Sequence, residues 1–229
     1  MPADGDVDDL LLVELLPEGE KVVVTVAHSE HAHGDHPPLA HQSSRVDARL
    51  LGIYIFIGSE IMLFGSFFTA YFFARVVVGA PAGDEWPPDP YHLPVYLALL
   101  NTIILVTSSF SMHWALQSIK RNNRQGLIGG LTLTFLLGLT FLLIQGREYT
   151  RIGFGPQDTA FASTFFGLTG LHGAHVFVGL NLLAYALVRS IRGHYGPKAH
   201  DHLGVEIPGI YWHFVDVMWI VVYVTVYVI

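Results

Sequence analysis

The stretch STFFGLTGLHGAHVFVGL, residues 163–180, decides how this chain is read: it is apolar enough to lie in a membrane yet carries two histidines near its middle. Small residues recur four apart in overlapping pairs, Ser163 with Gly167, Thr169 with Gly173 and Gly170 with Ala174, and His175 stands four before Gly179. That spacing lets neighbouring helices approach on several sides, and it predicts the central helix of a bundle. His172 and His175 are three apart, so they share one face about a turn from each other. Polar groups at membrane depth need partners within the protein.

The rest of the chain agrees with a membrane setting. Of its 229 residues 52% are hydrophobic and 14% charged, with a mean hydropathy of +0.46, and the apolar residues fall in long blocks, the composition of an integral membrane protein. The formal charge of -7 is unevenly spread, since Asp4, Asp6, Asp8, Asp9, Glu14, Glu18, Glu20, Glu30 and Asp35 crowd the start. No basic footprint for nucleic acid exists. The absence of cysteine excludes a disulfide framework, a thiolate metal centre, thiol catalysis and haem attachment through Cys-x-x-Cys-His.

Five apolar stretches, residues 48–78, 93–119, 127–150, 161–191 and 208–229, are each long enough to cross a hydrocarbon core of about 30 Å at 1.5 Å per residue. The predicted fold is an all-α integral membrane protein, a five-helix bundle over 48–229 behind a soluble tail at 1–47. The tail starts MPADGDVDD, acidic where a signal peptide is basic, and Glu14 interrupts its apolar run. LLLVELL and KVVVTV in the tail fit either a hairpin or a strip lying against a partner. His28, His31, His33, His36 and His41 lie beside Glu30 and Asp35, but their irregular spacing suits a polar linker better than a surface metal site. No internal repeat of the kind that builds many secondary transporters is present.

Basic residues near the helix ends set the orientation. Arg45, Arg49, Lys120, Arg121, Arg124, Arg189, Arg192 and Lys198 collect on one side, against Arg75, Arg147 and Arg151 on the other. The amino terminus is therefore expected in the cytoplasm and the carboxy terminus outside. The loop DEWPPDPYHLP, residues 84–94, is then external, with Trp86 and Tyr91 placed as interfacial anchors.

Several polar residues interrupt the spans. Glu60 lies about 18 Å along the first helix, near mid-depth. Insertion of a carboxylate there costs about 2.5–3.5 kcal/mol, so Glu60 should be buried against protein or carried protonated, with partners on another chain or a lipid head group. A functional acid and a hydrogen-bonded packing residue both fit that position. Gln145 and Glu148 end the third helix, where Glu148 can pair locally with Arg151. His213 and Asp216 form a second pair three apart on the fifth helix, between Trp212 and Trp219. Gln145, Glu148, His172, His175, His213 and Asp216 are expected to form a structural polar network in the outer half of the bundle, with histidines bonded to carboxylates across helices. A di-metal carboxylate site would need paired Glu-x-x-His motifs, which these spans lack.

Five motifs then carry a resemblance: GSEIMLFGSFFTAYFF (58–73), LLNTIILVTSS (99–109), QGREY (145–149), STFFGLTGLHGAHVFVG (163–179) and YWHFVDVMWIVVY (211–223). In that order they resemble subunit III of the haem-copper oxidases, from about residue 51 onward. The resemblance implies a noncatalytic core subunit of a terminal oxidase in a bacterial plasma membrane, docked on subunit I beside subunit II. It implies no catalytic, cofactor or metal residue in this chain, with haem and copper in the partner subunits and phospholipid bound. Glu60 matches the family's carbodiimide-reactive acid, associated with sustained proton uptake by subunit I. Arg189, Arg192, His194, His202 and Glu206 match lipid head-group contacts on the cytoplasmic connection. Long members have seven spans around a lipid-filled cleft, so this chain is expected to lack the first two. Trp86-Pro87-Pro88 looks more like the cytochrome c oxidases than the quinol oxidases. A quinol oxidase subunit, an accessory subunit of a nitric oxide reductase and an independent proton-coupled transporter using Glu60 are the alternatives.

Single cysteines introduced into the natural cysteine-free background test the topology. One in the tail and one in the 84–94 loop should react with an impermeant maleimide from opposite sides of sealed vesicles; labelling from the same side would overturn the orientation.

Overall fold

The computed structural model describes residues 47–79, 86–88, 91, 93–195 and 202–229. The expected tail short of Asp47, with its histidines and Arg45, the acids of the 84–90 segment and Lys198 lie outside the described residues. Five helices are long and apolar enough to cross a membrane: α1 Ala48–Gly79, α2 Val95–Lys120, α3 Arg124–Tyr149, α4 Ala160–Ile191 and α5 Leu203–Val228. All five correspond to the predicted spans. The largest difference is at α5, which starts at Leu203 rather than at Pro208, because a proline this close to a helix start forfeits only one early main-chain bond.

The helix ends are closed by side chains the sequence places there. Asp47 accepts from the Arg49 N–H at 2.8 Å, Asn123 from Gly126 at 3.0 Å and Thr159 from Ala162 at 3.1 Å, capping α1, α3 and α4. The Arg49 guanidinium also hydrogen-bonds Asp47, which holds that carboxyl below its ordinary range. At the far end of α4, Arg124 of α3 donates to the carbonyls of Ser190 and Ile191 at 3.3 and 2.6 Å. A cation there satisfies orphan carbonyls and the negative end of the helix dipole together.

Helices α2, α3, α4 and α5 form a ring in which each packs on the next and α5 returns to α2, while α1 lies outside against α4 and α5. The glycines of α4 serve three neighbours, as its spacing predicted. A Cβ at Gly167 would stand 3.2 Å from Phe67 of α1, at Gly173 3.8 Å from Leu142 of α3, and at Gly179 2.8 Å from Trp212 of α5. Yet the deepest helix is α5, since Tyr211, Trp212, Val215, Trp219 and Val222 all point inward. The central place expected for α4 is therefore shared with α5: the small residues of α4 make room, and the large residues that fill it come from α5. A close seam also joins α2 and α3, where Gly126, Gly130 and Thr134 face Ser118, Ala115 and Ser111.

Trp212 binds the ring together. Its ring lies against Gly138 of α3 and Gly179 of α4, and its indole N–H donates to Ser108 of α2 at 2.9 Å. Seven residues on, Trp219 donates to Thr102 of α2 at 2.9 Å. Ser108 and Thr102 give their own protons to the carbonyls of Leu105 and Ala98, which leaves their oxygens free to accept the indoles.

A Gly138→Val side chain would overlap Trp212 and should cost about 1–3 kcal/mol, the usual penalty of overpacking. Gly146, with no atom within 4 Å of a Cβ, should accept alanine with a gain of about 0.5–1 kcal/mol from helix propensity. Thermal unfolding in detergent, followed by circular dichroism, checks both; equal melting temperatures for the two variants would contradict the placement of Trp212.

Candidate functional site

Glu60 is the thirteenth residue of α1 and His175 the sixteenth of the 32 in α4. Because α1 and α4 run antiparallel, the middles of both helices meet at one level. There Glu60 Oε2 lies 2.8 Å from His175 Nε2, with the two side chains 15% and 11% exposed. This corrects the expectation that the partner of Glu60 lies on another chain or a lipid head group: the acid, expected to be buried, is partly buried at the α1–α4 seam, and its partner belongs to the same chain.

The second ring nitrogen fixes the chemistry of the pair. His175 Nδ1 lies 2.8 Å from the main-chain oxygen of Leu171, which can only accept, so Nδ1 carries a proton. If the ring is neutral, Nε2 has no proton and Glu60 must donate; if the ring is an imidazolium, Nε2 donates to a carboxylate. Either way one proton lies between Oε2 and Nε2 and the pair is neutral overall. Removing that proton would set a carboxylate against a nitrogen lone pair and open the contact. Net neutrality is what lets an acid stand at this depth. The ring is held by Phe64, at a centroid distance of 4.9 Å, and the Tyr211 hydroxyl donates to the His175 carbonyl at 3.2 Å.

The other polar residues do not join this pair, and the single network expected for them separates into groups. His213 and Asp216 lie ten and thirteen residues past the start of α5, about 15 and 20 Å along its axis, so they share the mid-depth level of Glu60 rather than lying in the outer half. His213 Nδ1 bonds Ser109 of α2 at 2.7 Å. Ser109 is also the polar neighbour of Asp216, although neither Asp216 oxygen makes a direct hydrogen bond among the described residues. His172 is fully buried between the rings of Phe141 and Trp219, at 5.6 and 4.8 Å, and makes no hydrogen bond among the described residues. Aromatic packing, not a carboxylate, holds it.

Glu148 accepts from the Tyr227 hydroxyl at 3.1 Å rather than pairing with Arg151, because it points into the bundle while Arg151 is exposed. Gln145 is buried one turn below, and Tyr149 beside it donates to Thr169 of α4 at 2.7 Å. Trp86 and Tyr91, expected as interfacial anchors, pack onto the bundle: Trp86 donates to the Tyr71 hydroxyl at 3.0 Å, and Tyr91 lies against Phe154. Arg189, Arg192 and His194 gather where α4 ends, and His202 and Glu206 where α5 begins. Sequence reasoning missed Ser109, Thr169 and Tyr227. The hydroxyls on α2 at 102, 108 and 109, facing an aromatic helix with tryptophans seven apart, were a usable signal for the first. Among the described residues no three His, Asp or Glu side chains converge as metal ligands.

Unequal costs should follow from breaking the pair on each side. Glu60→Gln keeps a donor for Nε2 and should lose less than about 1 kcal/mol, whereas His175→Phe leaves the carboxyl unpaired at depth and should lose about 1–3 kcal/mol. Unfolding in detergent measures both; a Glu60→Gln loss as large as that of His175→Phe would rule out the shared-proton pair.

The family model described as cytochrome c oxidase subunit III matches residues 22–229, so the match reaches into the tail, ahead of the five motifs. The chain is 37% identical over 200 residues to "Cytochrome c oxidase subunit 3" of Thermostichus vulcanus, covering 87% of this chain and 91% of that protein. It is 39% identical over 197 residues to the protein of the same name from Gallus gallus, covering 85% of this chain and 72% of the relative. The Gadus morhua protein of that name is 39% identical over 200 residues, with the same coverage of 85% and 72%. Five membrane-crossing helices, the motifs in their order and these likenesses agree: the chain belongs to the cytochrome c oxidase subunit III family, as a multi-pass subunit III of a haem-copper oxidase that associates with the other oxidase subunits.

Proposed function

We propose that this chain sits against subunit I of a bacterial plasma-membrane oxidase, stabilises it and supports its proton uptake while oxygen is reduced. The observation that carries the reading is the Glu60–His175 pair, an acid at mid-depth held at 2.8 Å by a histidine whose other nitrogen is locked to a carbonyl. Such a pair keeps one proton at a fixed place without a net charge in the membrane. Haem and copper belong to the partner subunits in this reading, and the chain contributes no catalytic residue. Subunit II completes the core.

Cytochrome c is the proposed electron donor, supported by the names of the relatives and by Trp86-Pro87-Pro88. The excess of basic residues at the end of the bundle where α1 starts supports a cytoplasmic amino terminus and an external carboxy terminus. Residues 1–47 then form a separate cytoplasmic segment in front of the 48–229 membrane domain. Arg189, Arg192, His194, His202 and Glu206 line the cytoplasmic connection as head-group contacts for phospholipid. Arg189 lies over the rings of Tyr185 and Tyr195 at 5.7 and 5.4 Å, which positions one such cation at the helix end.

The experiment is Glu60→Gln in the assembled, haem-replete oxidase. Turnover should fall by less than about tenfold, under ~1.4 kcal/mol of barrier, and should decay faster than in the unaltered complex, most at high pH where protons are scarce. Unchanged turnover and lifetime across pH would leave Glu60 a packing residue, and complete loss of oxygen reduction would make it catalytic; either result removes the supporting role. Failure to co-purify with a haem-copper subunit, together with proton-coupled transport by the chain alone in proteoliposomes, would favour the transporter.

A further inference from the structure

Where α2 begins and α3 ends, the surface of the bundle opens into a cleft of about 420 Å³ lined by Pro94, Leu97, Ile144 and Ile152 together with Arg147 and Arg151. The two arginines lie four apart across the end of α3, and both line this one cleft. Both are exposed, and neither guanidinium makes a hydrogen bond or ion pair among the described residues. Glu148 also lines the cleft, but its carboxyl is buried and accepts from the Tyr227 hydroxyl, so it does not neutralise the arginines at the mouth. Arg147 is two residues from the end of α3 and Arg151 two beyond it, which sets both charges at the level of lipid head groups. Leu97, the third residue of α2, and Ile144, one turn before Glu148 on α3, carry the cleft inward as apolar surface.

We propose that this cleft is a binding site for one anionic phospholipid, with its phosphate bridged by Arg147 and Arg151 and an acyl chain laid along Leu97 and Ile144. Two cations at the interface above an apolar floor match an amphiphile end to end, and a guanidinium pair presents the forked donors that a phosphate accepts. A soluble anion would use the mouth and leave the floor uncovered. The site stands at the opposite end of the bundle from Arg189, Arg192 and His194, and it does not depend on the role proposed for Glu60.

The test uses the intact purified oxidase in mixed micelles of phosphatidylcholine and phosphatidylglycerol, with retained phosphatidylglycerol counted by native mass spectrometry. Replacing both arginines, Arg147→Gln with Arg151→Gln, should remove one tightly held phosphatidylglycerol and weaken its binding about thirtyfold, the effect of two interfacial basic residues. Leu97→Trp, which fills the floor and keeps both arginines, should remove the same lipid while leaving the melting temperature near that of the unaltered oxidase. Inorganic phosphate should not displace it. An unchanged lipid count in the double variant overturns the site, and that is the result expected if carboxylates of the 84–90 segment or a partner subunit already occupy the arginines. Loss in the double variant with retention in Leu97→Trp, or displacement by inorganic phosphate, would show an anion site without the acyl-chain contact and equally overturn the lipid assignment.

Discussion

Closure of the four-helix ring through Trp212 is the constraint on which the rest of the fold depends. The side chain leaves α5, crosses the middle of the ring between Gly138 and Gly179, and reaches Ser108 on α2. No smaller residue would touch all of these helices, and no larger residue than glycine at 138 or 179 would admit it. Once it is seated, α5 is fixed in rotation, and Trp219 and His213 fall opposite Thr102 and Ser109 of α2. The seat for α1 follows, since that helix packs on the outer faces of α4 and α5 and is otherwise turned away from the ring.

A membrane interior makes each of these polar contacts count for more than its distance alone suggests. An indole N–H or an imidazole left unpaired there has no water to turn to. The protein meets that requirement economically: serine and threonine give their protons to their own helix and use their oxygens as acceptors for the next. Glu60 needs more than a hydroxyl, and receives a histidine already committed on its other side. The same locking that satisfies the ring leaves it one orientation, so the pair is both a packing device and a defined place for a proton.

Family membership and local geometry answer different questions. The likeness to the subunit III proteins says what complex this chain joins. Geometry says how the chain can serve such a complex: a ring stiffened by aromatic residues, a neutral acid–histidine pair at one seam, and cationic helix ends at both surfaces. Arg147 and Arg151 show why the second kind of reading is needed, because the sequence offers them a share in the charge count and, for Arg151, a local pair with Glu148, whereas the structure sets both at the mouth of one cleft.

The sequence by itself determined the five spans, their order, the family and the depth of Glu60, because these depend on local hydropathy, helix rise and contiguous motifs. It also determined that α4 would meet several helices, since glycine spacing along one helix is a local property. Which polar residue meets which was decided only by the tertiary structure. His175 reaches Glu60, 115 positions away, because antiparallel packing levels the middles of α1 and α4. His213 turns to Ser109, Glu148 to Tyr227, and His172 to rings rather than to an acid. Spacing on one helix gives a residue its face and its depth; the neighbour at that face is set by the rotation and vertical register of a second helix, and no local pattern carries either quantity.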